Sequence, residues 1–283
     1  SVMIQRVNTP AVSDDLSDEE AEALRSHYER KPQFWTILLS GRDDDNGGTD
    51  TNILVAVDVP NGYVYGVSIP RDTKSSINGK NRKINFAYNA GGMELLADTI
   101  SGQLGIPVDY TVLVNLKGFQ ALVDTIGGVD FYIPVDMHYE DPYQNLSIHF
   151  SKGMRHLSGE EALKVVRCRS AYASQDIGRM QTQQDFLKAV AKQLMTPEIA
   201  LKLPDLCGIF INYVETDLNA GNLAWLGGEV LNMGMDNISF ATLPGEWHDP
   251  YIYLDQEEVL AMVNQYLNPY TEDRTAEDLN ILT

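Results

Sequence analysis

Three apolar runs between Phe34 and Ile69 constrain this chain more than any other feature: "FWTILLSG", "TNILVAVDV" and "YVYGVSI". Each is rich in β-branched or aromatic side chains, and each carries too little polar alternation to face water, so all three read as interior strands. "PNG" at 60–62 is the turn that delivers the third. Interior strands need cover on both faces, and the following residues supply it. Residues 90–104 suit a helix, "VDYTVLVNL" a strand, "KGFQALVDTI" a helix ended by Gly127 and Gly128, and "VDFYIPV" another strand. Ser158 and Glu161 form a capping box for "GEEALKVV", and "DIGRMQTQQDFLKAVAKQLM" is a long amphipathic helix ending before Pro197. The alternation predicts an α/β fold with a mixed central β-sheet sandwiched by α-helices.

Ahead of the strands, Ser17 and Glu20 form another capping box, opening an acidic helix that Pro32 stops. We therefore expect a helical lead-in over 1–33, one α/β domain over 34–270 and an acidic tail over 271–283. Within the domain, motifs crowd into 35–197, and 198–270 continues the alternation of helix and strand without a linker.

Charge narrows the function. Forty acidic side chains oppose 21 basic ones, a net charge of -19, which repels nucleic-acid phosphates. The basic residues are concentrated all the same. Arg71, Lys74, Lys80, Arg82 and Lys83 gather with Asp72 as their only acid, and eight more lie between Lys152 and Lys192 against four acids. A cationic island in an anionic protein points to an anionic ligand. Cys168 and Cys207 occupy no zinc or redox spacing, and read as two buried thiols or a single disulfide. No stretch of the chain is apolar enough to span a bilayer, and the first residues have no signal-peptide pattern. The chain starts without a Met, so an upstream membrane anchor is left open.

The candidate chemistry has two sides. Arg71 follows a strand, Arg167 and Arg169 lie just past a capped helix, and Arg179 lies in the first turn of the next, with Gln183 one turn on. Guanidinium forks match phosphate oxygens, and several converging on one pocket hold a pyrophosphate. Asp176 stands as a plausible N-cap of the long helix. Opposite, "SGRDDDNGGTDT" places Asp43, Asp44, Asp45 and Asp50 in a glycine-rich loop between two strands. Carboxylates facing a phosphate call for a hard cation, Mg²⁺ being the ordinary one. Spacing alone equally allows ion pairs on a solvated surface, a solvated DDD loop and exposed Lys74 and Lys80. No phosphate-loop, HExxH or GxSxG motif offers another chemistry, and Ser68 reads as strand interior.

The ordered motifs "SIPRDT", "KINFAY" with "GG", "GIPVDYTVLVNLKGF", "LVDTIGGV", "LSGEEAL", "RCR" and "DIGRMQTQQ" resemble the LytR-CpsA-Psr family over Trp35 to Pro197, with "TDL" and "LPGE" following. The resemblance implies an extracytoplasmic α/β domain tethered by an N-terminal transmembrane helix, so this chain is expected to be an ectodomain of the bacterial cell envelope. It implies a hydrophobic tunnel for a polyprenyl-pyrophosphate-linked glycopolymer, which is transferred with Mg²⁺ to peptidoglycan, with polyprenyl pyrophosphatase activity as a side reaction. By motif, Arg71, Arg167, Arg169, Arg179 and Gln183 would bind the pyrophosphate, with Lys83 near them. Asp43 and Asp50 would be the metal-side acids, with Asp44 an alternative to Asp43, and Asp176 would assist proton removal from the acceptor. Gln181 and Thr182 stand where relatives often carry basic residues, which would weaken a peripheral phosphate contact or alter polymer choice. A non-catalytic lipid-binding protein or a regulator of the attenuator type is the competing reading.

Overall fold

The computed structural model describes residues 3–7, 10, 13–43, 47–173 and 176–283. In chain order its strands are β1 (Phe34–Arg42), β2 (Thr49–Asp58), β3 (Tyr63–Ser68), β4 (Lys74–Ile77), β5 (Lys80–Lys83), β6 (Tyr110–Asn115), β7 (Val129–Ile133), β8 (Met137–Asp141), β9 (Leu146–Phe150), β10 (Gly153–Leu157), β11 (Glu215–Thr216), β12 (Ile238–Thr242), β13 (Gly245–His248) and β14 (Tyr251–Leu254). The helices are α1 (Asp18–His27), α2 (Ala87–Leu104), α3 (Leu116–Thr125), α4 (Gly159–Arg167), α5 (Asp176–Leu194), the single turn α6 (Pro197–Ala200), α7 (Leu203–Phe210), α8 (Ala220–Met233) and α9 (Gln256–Met262).

The three apolar runs are the centre of a six-stranded sheet in the order β11-β6-β1-β2-β3-β12. β1 runs antiparallel to β2 and parallel to β6, and β3 runs antiparallel to β2 and parallel to β12, so the sheet is mixed, as expected. Period-two alternation assigns the faces. Phe34, Leu38, Leu54, Ala56 and Val67 join the layer under α2 and α9, whereas Trp35, Ile37, Val57 and Val64 meet Leu226 of α8 on the other side. A third cluster lies away from the sheet, where α3, α4 and α5 pack with β7, β8, β9 and β10. Both predicted capping boxes are present, Ser17 with Glu20 and Ser158 with Glu161.

The sequence patterns fell short in the accessory pairings. "VDFYIPV" forms β7, which pairs with β10 instead of joining the central sheet. The first basic island is itself a hairpin, β4 with β5, and β8 with β9 and β13 with β14 form two more. Lys74, expected to be exposed, is half-buried with its ammonium 4.7 Å from the centre of the Tyr253 ring. Tail residue Leu279 is buried in the α2–α9 layer, and Asp278 receives the His27 Nε2 at 2.8 Å, joining tail to lead-in helix. No helix among the described residues is long and apolar enough to cross a membrane.

Candidate active site

The end of β1, the start of β2 and the end of β6 open onto one cavity of about 610 Å³, closed by α3, α4, α5 and the β8–β9 hairpin. The parallel pair β1–β6 thus presents its carboxyl ends to the cavity, where open α/β sheets present ligands. Most of the lining is apolar, including Leu39, Ile53, Ile126, Ile148, Phe186 and Phe210. The remainder is densely charged: Asp43, Asp50, Arg71, Arg167, Arg169 and Arg179 all line it, with Gln183 beside them.

Local structure explains each placement. Against the neighbouring strand, Gly41 pairs with Thr51 and Arg42 with Thr49, so Asp50 is the extra residue of a bulge. Bulges re-aim a side chain out of strict alternation, and this one turns the Asp50 carboxylate to Arg71, 2.9 Å away. Arg71 sits in a turn after β3 that Thr73 closes, its hydroxyl donating to the Pro70 carbonyl at 2.6 Å. The loop before β2 is held by Gly48, whose φ is +71° and whose amide donates to Asn89 Oδ1 at 2.8 Å. A Cβ on Gly48 would stand 2.4 Å from the Asn85 carbonyl oxygen.

On the other wall, Arg167 closes α4 and donates to Asp43 at 2.9 Å across 124 residues of chain. Asp176 is itself helical, within α5, and so is not the N-cap expected. Gly178 lies under the Tyr172 ring, leaving no room for a side chain there, and this contact seats the first turn. Asp176 is 2.7 Å from Arg179 and 3.7 Å from Arg169, and Arg179 also donates to the Asp50 carbonyl at 3.2 Å. One chain of contacts therefore runs Arg71, Asp50, Arg179, Asp176, Arg169. Burial pushes the Arg179 guanidinium below the ordinary arginine range, Asp176 and Asp50 push back, and Arg169 and Arg71 add to the lowering. Such a cluster of cations gains from any anion placed among them. Nε of Arg169 and of Arg179 are buried with no hydrogen-bond partner among the described residues.

Of the residues singled out in the sequence, Arg71, Arg167, Arg169, Arg179, Gln183, Asp43 and Asp50 are brought together on this cavity. Asp176 and Lys83 are not among its lining residues. Asp176 stands behind the arginines as their counterion, and Lys83 pairs with Asp72 at 3.0 Å, one residue from Arg71. Gln183 faces the cavity but spends its amide on the Val166 carbonyl at 3.2 Å, tying α5 to α4. Thr182 is buried against the Tyr172 hydroxyl, and Gln181 is exposed beside Asp185, so neither lines the cavity. Asp44 and Asp45 lie outside the described residues. Cys168 and Cys207 are both free and buried, and Ser68 is buried within its strand.

Sequence reasoning passed over several residues. Gln184 donates to Ser68 Oγ, the Ala241 carbonyl and Thr242 Oγ1, anchoring α5 to the ends of β3 and β12. Arg42 lines the cavity and donates to the Tyr88 hydroxyl at 3.1 Å; its place in "GRD" directly before Asp43 was the available signal. Tyr139, Gln144 and Leu146 contribute a wall from a hairpin whose sequence carries no strong strand pattern.

Asp43 and Asp50 offer hard oxygen donors at the ends of adjacent strands. Among the described residues no group of three His, Cys, Asp or Glu converges, so a cation here would draw its remaining ligands from substrate and water. The donor set suits Mg²⁺ shared with a phosphate.

The family described as LytR_cpsA_psr matches residues 2–272. A polyisoprenyl-teichoic acid–peptidoglycan teichoic acid transferase, TagU of Bacillus cereus, is 33% identical over 236 residues, covering 82% of this chain and 75% of the relative. The crystal structure of Bacillus subtilis TagV superimposes with a TM-score of 0.75 at 27% identity, covering 86% of this chain and 100% of that one. A structure of TagT bound to LI-WTA, 24% identical with a TM-score of 0.67, covers 88% of this chain and 92% of its own and shares the fold.

Proposed function

The chain belongs to the LytR_cpsA_psr family, and on that footing we propose that it is a cell-wall glycopolymer transferase, moving a polyprenyl-pyrophosphate-linked polymer such as a teichoic acid onto peptidoglycan. The observation that carries the reading is the union, in one 610 Å³ cavity, of an arginine–carboxylate cluster with a long apolar wall. That union matches an amphiphile with a diphosphate head and a hydrocarbon tail. The apolar part, which draws on Ile53 of β2, Val114 of β6 and Phe186, Leu187 and Val190 of α5, would take the lipid as a tunnel. Relatives transfer teichoic acid to peptidoglycan by name, which supports work at the cell envelope, at the membrane surface where the lipid carrier resides.

In the reaction we propose, an acceptor hydroxyl attacks the sugar-linked phosphorus roughly in line. A new phosphorus–oxygen bond forms, the bond to the bridging oxygen breaks, and polyprenyl phosphate leaves with that electron pair. Arg71, Arg167, Arg169 and Arg179 would bind the diphosphate and hold charge on the leaving phosphate. Asp176 would fix Arg179 and Arg169 in place, and the proton of the attacking hydroxyl would pass to Asp43 or Asp50, the carboxylates that line the cavity. Asp43 and Asp50 would also hold Mg²⁺, which when bound neutralises phosphate charge.

The free chain has each of these two aspartates paired with an arginine, Asp50 with Arg71 and Asp43 with Arg167. Substrate and metal would exchange both partners at once: arginines to phosphate, carboxylates to cation. The test is release of polyprenyl phosphate from a lipid-linked glycan in the presence of peptidoglycan, with Mg²⁺ or EDTA, beside Asp50→Ala. Turnover that requires the metal and Asp50 is expected. Lipid binding without turnover in any condition would replace the transferase with a binding protein.

A further inference from the structure

The β8–β9 hairpin has two faces of opposite character. Tyr139, Leu146 and Ile148 point into the cavity, and by alternation His138, Glu140, Ser147 and His149 point outward, where all four are exposed. His138 lies directly across from His149, and Glu140 directly across from Ser147.

The two histidines meet through like atoms. Nδ1 of His138 lies 3.3 Å from Nδ1 of His149. On the far side of its ring, His149 Nε2 is paired with Glu140, whose Oε1 also accepts from Ser147 Oγ at 2.7 Å. If His149 donates from Nε2 to that carboxylate, its Nδ1 carries the lone pair that His138 now meets. The other three histidines, His27, His156 and His248, each direct a ring nitrogen at a carboxylate and not at a second histidine.

From this juxtaposition we propose that His138 and His149 form a cross-strand chelate for a divalent transition cation, zinc by its geometry, with Glu140 orienting His149 from behind. Two imidazole nitrogens bound to one tetrahedral zinc at about 2.0–2.1 Å stand about 3.3 Å apart, the separation already present. A carboxylate on the remote nitrogen of a ligating histidine fixes its tautomer, and Glu140 occupies that place. The ring centres are 5.6 Å apart, which puts the nitrogens nearly head on. Admitting the ion requires each ring to swing by about 35° from that line, and His138 to move its proton from Nδ1 to Nε2. Exposed side chains can do both. No described group of three His, Cys, Asp or Glu is placed to hold a metal, so water completes the shell.

The ion would tie β8 to β9 on the outside of a hairpin whose inside is a wall of the lipid-sized cavity. Zinc would therefore stiffen that wall. The site is independent of the proposed transferase reaction and of its Mg²⁺, and is tested without activity.

The experiment is a zinc titration of the EDTA-treated, dialysed protein by calorimetry and by competition with a chromophoric zinc indicator. The variants are His138→Ala, His149→Ala, Glu140→Gln and, as a control, His248→Ala, with hydrogen exchange followed over residues 137–150. One zinc per chain is expected for the unaltered protein and the control, none at that affinity for either chelate variant, and about tenfold weaker binding for Glu140→Gln. Zinc should slow exchange in the hairpin only where both histidines remain. No zinc uptake by the unaltered protein, or unchanged uptake by His138→Ala, would overturn the site, and unchanged hairpin exchange on zinc binding would overturn the stiffening.

Discussion

Two arginine–aspartate pairs of this molecule, built from the same groups, differ in kind. Beneath the lead-in segment, Arg30 and Asp109 are closed off, with side-chain exposures of 6% and 0%. Asp109 accepts from both terminal nitrogens of Arg30 at 2.9 and 2.8 Å, from the Thr36 amide at 2.9 Å and from the Arg6 amide at 2.7 Å. Around the cavity, Arg71 and Asp50 are 2.9 Å apart but 23% and 17% exposed, and they face space that a ligand can fill. A carboxylate with every lone pair engaged is a joint. One sharing a cavity with five arginines can change partners. The contrast teaches that ion pairing alone separates neither structure from function; what separates them is whether the carboxylate's acceptors are already filled by the protein and whether the pair faces a cavity.

The largest effect expected from breaking this contrast is on the closed side. Asp109→Ala strands Arg30 in a buried position and should cost about 3–5 kcal/mol of stability by denaturant unfolding. Turnover per folded molecule should be unchanged. On the open side, Arg71→Ala should lower the transfer rate by about 10²–10³-fold with an unfolding midpoint close to that of the parent. Arg71→Lys should recover only part of the rate, because an ammonium lacks the bidentate fork. Equal losses of stability in Asp109→Ala and Arg71→Ala would erase the distinction.

The third effect is smaller and tests the loop that carries Asp50. Gly48→Ala places a Cβ on a left-handed backbone and against the Asn85 carbonyl, so a loss of about 1–2 kcal/mol is expected in thermal melts. Turnover should fall as well, since the bulge behind that loop aims the carboxylate. The smallest effect lies outside both pairs. The Tyr63 phenol is pushed up to about 12, by burial first and then by Asp58 and Tyr266. A raised folded-state value contributes stability that is complete below the unfolded phenol range, near pH 10, and is lost as pH rises towards about 12. Tyr63→Phe should flatten the fall in melting temperature between those limits and leave transfer untouched.

How legible was all this in the sequence? The central strands were, because β1, β2 and β3 are buried on both faces and their apolar runs are continuous. Helix starts were also legible, because a capping box is a local signal four residues long. The arginine set was found by type and order, and the fold brings it together. What stayed hidden depends on contacts between distant residues. Nothing near Asp43 announces that Arg167 will donate to it, and nothing near Gln184 announces β12. The accessory hairpins mix polar, aromatic and charged positions in runs of four or five residues, too short for periodicity to separate strand from loop. Asp176 looked like a cap because spacing shows where a helix can start; its pairing with two arginines became visible only once α4 and α5 were packed.

The central claim is that the open arginine–aspartate pairs form a diphosphate site. Its most direct test is calorimetric titration of a short-chain polyprenyl diphosphate, with Mg²⁺ present, into the parent protein, Arg71→Ala and Asp109→Asn under conditions where all three are folded. Binding that weakens by about tenfold or more in Arg71→Ala, and is unchanged in Asp109→Asn, is the predicted result. Equal affinity for the parent and Arg71→Ala would contradict it and make the cavity pairs as structural as the buried one.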